Sequence, residues 1–201
     1  MLDKHVVPLI KPPLKLVATK LHARGWTADG VSIIGFACGL VCVVAIAADF
    51  ALTGLFFMLL NRLADGIDGE LARLQTPTDA GAFLDISLDF IFYALFPLGF
   101  ALSDPTSNAL AAALLIASFV GTGASFLAFS SMAQKRDIQH PDFNYKGLYY
   151  LNGLAEGTET VLFFALMCLL PGYFVPIALL FAFICLITAI NRVIFGYLTL
   201  R

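Results

Sequence analysis

Long apolar runs make up most of this chain, and short polar breaks separate them. Six runs are long enough to cross a bilayer, and they predict helices at 31–49, 52–74, 80–102, 108–134, 148–170 and 174–198. The breaks contain helix-capping or turn residues, namely Thr27, Thr78 or Asp79, and the pair Pro171-Gly172. The pattern therefore predicts an all-α membrane protein with six transmembrane helices.

The first 26 residues follow a different pattern, because basic side chains are interspersed among apolar ones. The basic residues are Lys4, Lys11, Lys15, Lys20 and Arg24. Pro12-Pro13 predicts a helix from Leu14 to about Ala23, since proline is tolerated in a first helical turn. We expect this amphipathic segment, 1–26, to lie on the anionic cytoplasmic leaflet ahead of a bundle at 31–198. A solvated arm is the alternative, and either arrangement leaves 1–201 as a single domain.

Composition supports a membrane location. The 201 residues are 60% hydrophobic and 13% charged, with a mean hydropathy of +0.88. That balance is too apolar for a soluble domain of this size. The formal net charge of −2 gives no information about partners, and we expect no nucleic-acid partner. All four cysteines lie in apolar segments, so we expect reduced core residues: Cys38, Cys42, Cys168 and Cys185.

The distribution of basic residues predicts the orientation. With six spans, both termini and the loops at 74–80 and 135–147 share one side, and all twelve Lys and Arg residues lie there or in the adjacent half of the membrane. The opposite turns contain Asp49 and Asp104 and no basic residue. The positive-inside rule then makes the basic side cytoplasmic. We expect a bacterial inner-membrane protein whose termini and polar motif face the cytoplasm.

The stretch 65–89 is the exception to the apolar pattern, because it contains carboxylates within predicted spans. On a helical wheel Asp68, Gly69 and Ala72 fall within about 60° of Asp65, and Arg73 and Arg62 fall within about 80°. Ionisable residues inside a membrane are costly and usually face a cavity with a function. The first half of the stretch therefore predicts a polar helix face.

The second half of the stretch repeats this arrangement. Gly81, Asp85 and Asp89 are spaced four apart, which forms one stripe on a helix. The break at 75–78 separates the two halves. We expect an antiparallel helix pair that brings two carboxylates from each helix face to face.

Clustered carboxylates repel one another unless a cation lies between them. The ligands are all oxygen, which favours Mg²⁺ or Mn²⁺ over zinc, and the number of carboxylates predicts two ions. Arg73 is placed to bind a phosphate or diphosphate, while Gly69 and Gly81 leave room for a ligand near the backbone. Glu70 lies outside the polar face and has no predicted role.

These residues resemble a family motif. Asp65-x-x-Asp68-Gly69-x-x-Ala72-Arg73, followed by Gly81-x-x-x-Asp85-x-x-x-Asp89, resembles the signature of the CDP-alcohol phosphatidyltransferases at eight positions. One departure is the seven-residue gap before Gly81, where eight residues are commoner. The gap falls in the predicted turn, where a change of length is tolerated.

The resemblance implies a six-helix membrane fold and a specific reaction. A hydroxyl of a small alcohol would attack a CDP-linked lipid, CDP-diacylglycerol, to give a phospholipid and CMP. By the same resemblance the enzyme would be a homodimer, with Asp89 as the general base. The metal ligands would be Asp65, Asp68, Asp85 and Asp89. The nucleotide and diphosphate site would be formed by Gly69, Ala72, Arg73 and Gly81.

Other polar residues within the spans are candidates for binding the acceptor alcohol. Arg62 could pair with a motif carboxylate or contact a substrate phosphate. Arg192 and Lys135 could bind a phosphorylated acceptor, although positive-inside anchoring explains Lys135 as well. Glu156 and Glu159, in the predicted fifth span, could hold a cationic or polyhydroxyl acceptor or pair with an arginine.

These candidates leave the acceptor open. Glycerol 3-phosphate or an inositol phosphate would suit the basic residues, whereas serine, inositol or choline would suit the glutamates. A cation transporter is the alternative function, since membrane carboxylates also line ion paths. The clustering of the acids at one end of a single hairpin, with Arg73 on the same face, argues against it.

Overall fold

The structure, a computed structural model, describes residues 2–136 and 154–201. Seven α-helices and one 3₁₀ turn appear there: α1 Asp3–His22, α2 Ala28–Ala47, α3 Ala51–Leu74, α4 Asp79–Ser103, α5 Pro105–Lys135, α6 Gly157–Leu169, the turn Pro171–Tyr173 and α7 Phe174–Leu200. No strand occurs in these ranges, so the all-α class is confirmed.

The residues at the helix ends explain where two of these helices begin. The Thr27 hydroxyl accepts a hydrogen bond from the Gly30 amide at 3.2 Å, and the Thr78 hydroxyl accepts one from the Gly81 amide at 3.0 Å. Each threonine satisfies a backbone donor that the first helical turn leaves unpaired. Both predicted caps are confirmed, and the four cysteines are free as predicted.

Within the described residues, four segments are long and apolar enough to cross a membrane: α2, α4, α5 and Pro171–Leu200, which contains α7. Helix α3 has 24 residues, which is sufficient length, but charged residues crowd its second half. The structure thus supports an all-helical protein with four long apolar helices. The count of six spans stays a prediction.

The predicted fifth span, 148–170, was wrong as one continuous helix, because residues 154–156 are not helical. Residues 148–153 lie outside the described part of the chain, and α6 starts only at Gly157, with Glu156 as its N-cap. Its 13 residues extend about 20 Å, whereas the hydrocarbon core is about 30 Å thick. The Thr158 amide donates to Asp3 Oδ1 at 2.8 Å, so a carboxylate from the distant α1 stabilises this helix start. Sequence spacing cannot reveal such a long-range cap.

The N-terminal helix is also longer than expected. Pro12-Pro13 does not open it, because α1 begins at Asp3 and continues through Pro8, Pro12 and Pro13. At its start the Leu2 amide donates to Glu159 Oε1 at 2.8 Å. Contacts with α6 therefore hold the first turns, and the proline pair lies in the helix interior.

The second half of α1 packs on α3. Leu14, Ala18 and Leu21 cover Ile67 and Leu71, which lie on the apolar side of α3 opposite the acids. This small core is separate from the main one. It makes α1 a support behind the motif helix, and its position at the membrane surface stays a prediction.

Helix α2 occupies the centre of the motif region. It packs against both α3 and α4, whereas direct backbone contact between α3 and α4 is sparse. The expected pair of α3 and α4 therefore does not pack backbone to backbone, because α2 packs against both helices, but acids of the two helices do face one another as predicted. Helix α5 packs on α4 and α7, and α6 packs on α3 and α7.

Aromatic rings fill the main core below the motif. The rings of Phe96 and Phe164 stack at 3.8 Å, and Phe92 packs edge-on against both. All three side chains are fully buried. This cluster joins α4 to α6 and gives the polar end of the bundle a rigid base.

Close approach of α2 and α3 depends on Gly35. A Cβ atom at this position would lie 2.7 Å from the Ala64 Cβ, and neither atom can rotate away from its backbone. We expect Gly35→Ala to force the helices apart and to lower the free energy of unfolding by about 1–3 kcal/mol, the usual cost of overpacking. Thermal unfolding in detergent measures this. Gly172→Ala is the matched control, because no atom lies within 4 Å of its added Cβ. Equal melting temperatures for the two variants would contradict the packing argument.

Candidate active site

The motif carboxylates converge at one cleft. Asp65 and Asp68 from α3 and Asp85 from α4 each offer an oxygen, and these atoms lie within 4.8 Å of one another. Asp89, one turn further along α4, lines the same cleft. The sequence-predicted set is therefore together in space, although its two helices make little direct contact.

Helix α2 supplies the third wall of the cleft, which the sequence analysis missed. The full lining is Ser32, Gly35 and Phe36 from α2, Asn61, Asp65 and Asp68 from α3, and Asp85, Leu88 and Asp89 from α4. The Ser32 hydroxyl donates to Asp68 Oδ2 at 2.6 Å, which fixes that carboxylate. An isolated hydroxyl in an otherwise apolar span was the signal available in the sequence.

Arg62 pairs with the acids. Its Nη2 donates to Asp89 Oδ1 at 2.7 Å, and its Nη1 lies 3.7 Å from Asp65 Oδ2. The guanidinium thus connects a carboxylate of α3 to one of α4. Of the two roles expected for Arg62, the pairing with a motif carboxylate is the one observed.

Asn61 extends this network to α2. Its side-chain amide donates to the Gly35 carbonyl at 2.9 Å, and its Oδ1 accepts from Arg62 Nε at 2.8 Å. Asn61 is buried, so these two hydrogen bonds satisfy polar atoms that would find no partner among lipid tails or apolar side chains. The three helices around the cleft are therefore linked by polar side chains.

Arg73 lies at the open end of α3. Its Nη2 contacts Glu70 Oε1 at 2.5 Å, and the exposed fractions are 51% for the Arg73 side chain and 5% for Glu70. A Cβ at Gly69 would lie 3.6 Å from the same guanidinium, which therefore extends over that glycine. Ala72, in the adjacent turn, is half-buried. Glu70, which had no predicted role, thus orients an arginine whose side chain is half exposed.

Gly81 packs closely against α2. A Cβ there would lie 2.9 Å from Asp29 Oδ1 and 3.2 Å from the Thr78 hydroxyl. The first turns of α2 and α4 are therefore neighbours at the end of the cleft. Asp29 occupies part of the space that the sequence analysis assigned to a ligand.

The candidate acceptor residues on α5 and α7 lie elsewhere in the described bundle. Arg192 is buried between these helices, where its Nη1 donates to the Thr122 carbonyl at 3.2 Å and its guanidinium lies 5.6 Å from the Phe126 ring centre. Lys135 is exposed at the end of α5. Neither lines the carboxylate cleft.

Glu156 and Glu159 belong to a second acidic group. With Asp3 they bring carboxylate oxygens within 4.8 Å of one another where α1 meets α6. Glu159 accepts from the Leu2 amide there. They do not line the cleft in the described structure, and the expected pairing with Arg62 is not the one that Arg62 makes.

The first acidic group fits a divalent cation. Carboxylate oxygens within 4.8 Å of one another can share one ion, since Mg²⁺ and Mn²⁺ bind oxygen at about 2.0–2.2 Å. In the part of the chain that the structure describes, the acids at the cleft outnumber the guanidinium that pairs with them. The donor set, all oxygen and negatively charged, is the kind that hard cations prefer.

Comparison with known proteins identifies relatives along the whole chain. The family model for CDP-alcohol phosphatidyltransferase matches residues 26–195. Inner membrane protein YnjF of Escherichia coli (strain K12) is 50% identical over 201 residues, which cover 100% of this chain and 98% of that protein.

Two solved structures share the fold. Both are of the phosphatidylinositol phosphate synthase of Mycobacterium tuberculosis. The structure with CDP-DAG bound has a TM-score of 0.58 at 20% identity and covers 92% of this chain and 90% of its own. The complex with manganese and citrate has a TM-score of 0.65 at 21% identity, covering 92% and 88%. The match extends over nearly the whole of each chain.

The family match spans most of the chain and includes every motif position, and the motif acids converge on one cleft in an apolar helical bundle. The resemblance found in the sequence is thereby confirmed. This chain belongs to the CDP-alcohol phosphatidyltransferase family and is a membrane enzyme of that class.

Proposed function

We propose that the enzyme transfers a phosphatidyl group from CDP-diacylglycerol to the hydroxyl of a small alcohol, and releases CMP, in phospholipid biosynthesis. The observation that carries this proposal is the convergence of Asp65, Asp68 and Asp85 on the cleft that Asp89 also lines. The bound CDP-DAG in the mycobacterial synthase structure supports the choice of donor.

The proposed metal ligands are the cleft acids Asp65, Asp68, Asp85 and Asp89. They would hold Mg²⁺ or Mn²⁺, with two ions matching the number of carboxylates. The manganese in the second mycobacterial structure supports a divalent metal. Such ions neutralise the diphosphate of the donor and the negative charge that develops on the departing CMP. Ser32 would keep Asp68 turned toward the cleft through its 2.6 Å hydrogen bond.

Asp89 is the proposed general base. It would accept the proton of the acceptor hydroxyl while the hydroxyl oxygen bonds to the lipid-linked phosphorus and the bond from that phosphorus to CMP breaks. Its Oδ1 is held by Arg62. A fixed carboxylate at the inner end of the cleft suits this role, because proton transfer requires a defined distance and angle.

Arg73 is the proposed contact for the donor diphosphate. Glu70 holds one side of its guanidinium, and the exposed remainder is open to a charged oxygen. Gly69, Ala72 and Gly81 would complete the nucleotide site with backbone close to the ligand. A Cβ at Gly81 would lie 2.9 Å from Asp29 Oδ1, which supports a site that ends at the first turns of α2 and α4.

The acceptor belongs to one of two chemical classes. A phosphate-bearing alcohol would use Arg192 and Lys135, whereas a cationic or polyhydroxyl alcohol would use Glu156 and Glu159. We place the phosphate-bearing class first because Arg192 is a buried cation within a span, which is costly to keep without a function.

The remaining architecture is proposed on the same basis. The chain would form one domain over 1–201, dimerise as members of this family commonly do, and lie in the bacterial inner membrane with its termini and cleft facing the cytoplasm. The inner-membrane name of the Escherichia coli relative supports this location.

Purified protein in detergent, given CDP-diacylglycerol with labelled CDP, tests the reaction. We expect CMP release that requires Mg²⁺ or Mn²⁺, stops with a chelator, and rises when one compound of an acceptor panel is added. The panel contains glycerol 3-phosphate, inositol phosphate, inositol, serine and choline. Absence of CMP release with every acceptor and both metals, from protein that retains its fold, would overturn the proposal. Ion uptake into liposomes without CMP release would instead support the transporter alternative.

A further inference from the structure

A buried cation connects the two motif helices. Direct backbone contact between α3 and α4 is sparse, and α2 packs against both helices. The Arg62 guanidinium crosses this gap, with Nη2 at 2.7 Å from Asp89 Oδ1 on α4. The relative position of the carboxylates on the two helices therefore depends on Arg62 as well as on packing.

The guanidinium itself is strongly restrained. Nε donates to Asn61 at 2.8 Å, and Nη1 donates to the Tyr93 hydroxyl at 3.1 Å. The Phe92 and Tyr93 rings lie 5.2 Å and 5.1 Å from its central carbon, which is within cation–π range. The side chain is only 10% exposed. These contacts fix the plane of the guanidinium independently of its hydrogen bond to Asp89.

We propose that Arg62 is a positioning residue that fixes the orientation of Asp89 and serves as a built-in counter-ion for the cleft acids. This inference rests on the proposed function, in which Asp89 accepts the acceptor proton. Arg62 holds Oδ1 of Asp89, so the carboxylate cannot rotate freely about its last bond. The base is then presented in one orientation whether or not a substrate is bound.

The contacts of Arg62 argue against direct binding of an acceptor phosphate. Its three nitrogens each have a hydrogen-bond partner within the protein, and the side chain is only 10% exposed, so little of the guanidinium is open to a phosphate. A phosphate that displaced the Asp89 carboxylate would take the cation from an acid that is itself only 28% exposed, which is unfavourable. A role through Asp89 requires no such exchange.

Arg62→Met tests the proposal, because Met retains much of the side-chain volume and removes the charge and the donors. We expect kcat for CMP release to fall about 10- to 100-fold, as for outer-shell partners of reactive groups, with the KM for CDP-diacylglycerol changed less than about threefold. Arg62→Lys keeps the charge without the planar donor group, so it should recover only part of kcat. Arg24→Met, which removes an exposed charge outside the cleft, is the matched control and should behave as wild type.

Binding of Mn²⁺ alone, followed by electron paramagnetic resonance, is the second readout. Removing a cation beside the acids should leave Mn²⁺ affinity unchanged or raise it, and Mn²⁺ should raise the melting temperature of Arg62→Met more than that of wild type. A merely structural role predicts the opposite, with kcat, Mn²⁺ affinity and melting temperature all reduced together.

The outcomes separate this proposal from the proposed function. If wild type releases no CMP, the proposed function fails. If wild type is active and Arg62→Met keeps its kcat, or raises only the KM for the acceptor, the positioning role is overturned. Should Arg62→Met not fold, Arg62→Lys decides, because wild-type kcat in that variant would show that the planar contact with Asp89 is not needed.

Discussion

Asp89→Asn is expected to lower kcat for CMP release by about 10²–10⁴-fold, the contribution usual for a general base. Asparagine has nearly the same shape and its amide oxygen can still accept from Arg62 Nη2, which now lies 2.7 Å from Asp89 Oδ1. The variant therefore removes proton acceptance and one negative charge while keeping the local packing. Nucleotide binding should remain largely in place. Steady-state kinetics and CDP-diacylglycerol binding measure the two effects.

Asp79→Asn is the matched control for this experiment. Asp79 is an exposed carboxylate in the first turn of α4, the same helix, and it does not line the cleft. We expect wild-type kcat from it. Full activity in Asp89→Asn would remove the base assignment, and an equal loss in both variants would show that the charge of α4 as a whole, not the position of Asp89, is responsible.

Asp68→Asn is expected to lower the affinity for Mn²⁺ by about a hundredfold or more, since outer-shell partners of a metal alone contribute 10- to 100-fold. Asp68 is buried, and its oxygen lies within 4.8 Å of oxygens from Asp65 and Asp85, so the three could share one ion. Loss of its charge removes both a ligand and part of the field that attracts the cation. Electron paramagnetic resonance of free Mn²⁺ gives the affinity, and the metal dependence of CMP release provides an independent measurement.

Ser32→Ala measures the contribution of the hydrogen bond that holds Asp68, as distinct from that of the Asp68 carboxylate itself. The Ser32 hydroxyl donates to Asp68 Oδ2 at 2.6 Å, so its removal should weaken Mn²⁺ binding by about tenfold, less than loss of the carboxylate. Asp68→Asn should therefore weaken Mn²⁺ binding more than Ser32→Ala does. An Mn²⁺ isotherm for Asp68→Asn that matches wild type would contradict the proposed metal site.

Local patterns in the sequence predicted much of the fold. The helix bounds of α2, α3, α4, α5 and α7 agree with the predicted spans to within a few residues. Thr27 and Thr78 begin helices as expected, because a capping side chain acts on amides only two or three positions away. The all-α class followed from apolar runs that only helices can satisfy in lipid.

Where the sequence analysis failed, the deciding contact came from a distant part of the chain. The beginning of α6 is capped by Asp3, and α1 continues through its prolines with α6 at one end and α3 along its side. Glu70 is the exception, because its contact is local: it was set aside by its angle on the helical wheel, yet it pairs with Arg73 because a long arginine reaches back one turn.

The sequence by itself determined the chemistry of the site: acids at helical spacing on two apolar helices, close enough in the chain to meet across one turn. That spacing depends only on residues close together in the chain, so the sequence alone predicts it. Only the tertiary structure decided how the acids meet, because packing joins residues that are far apart in the chain. It packed α2 against both helices, turned Ser32 onto Asp68, and set Arg62 within hydrogen-bond distance of Asp89.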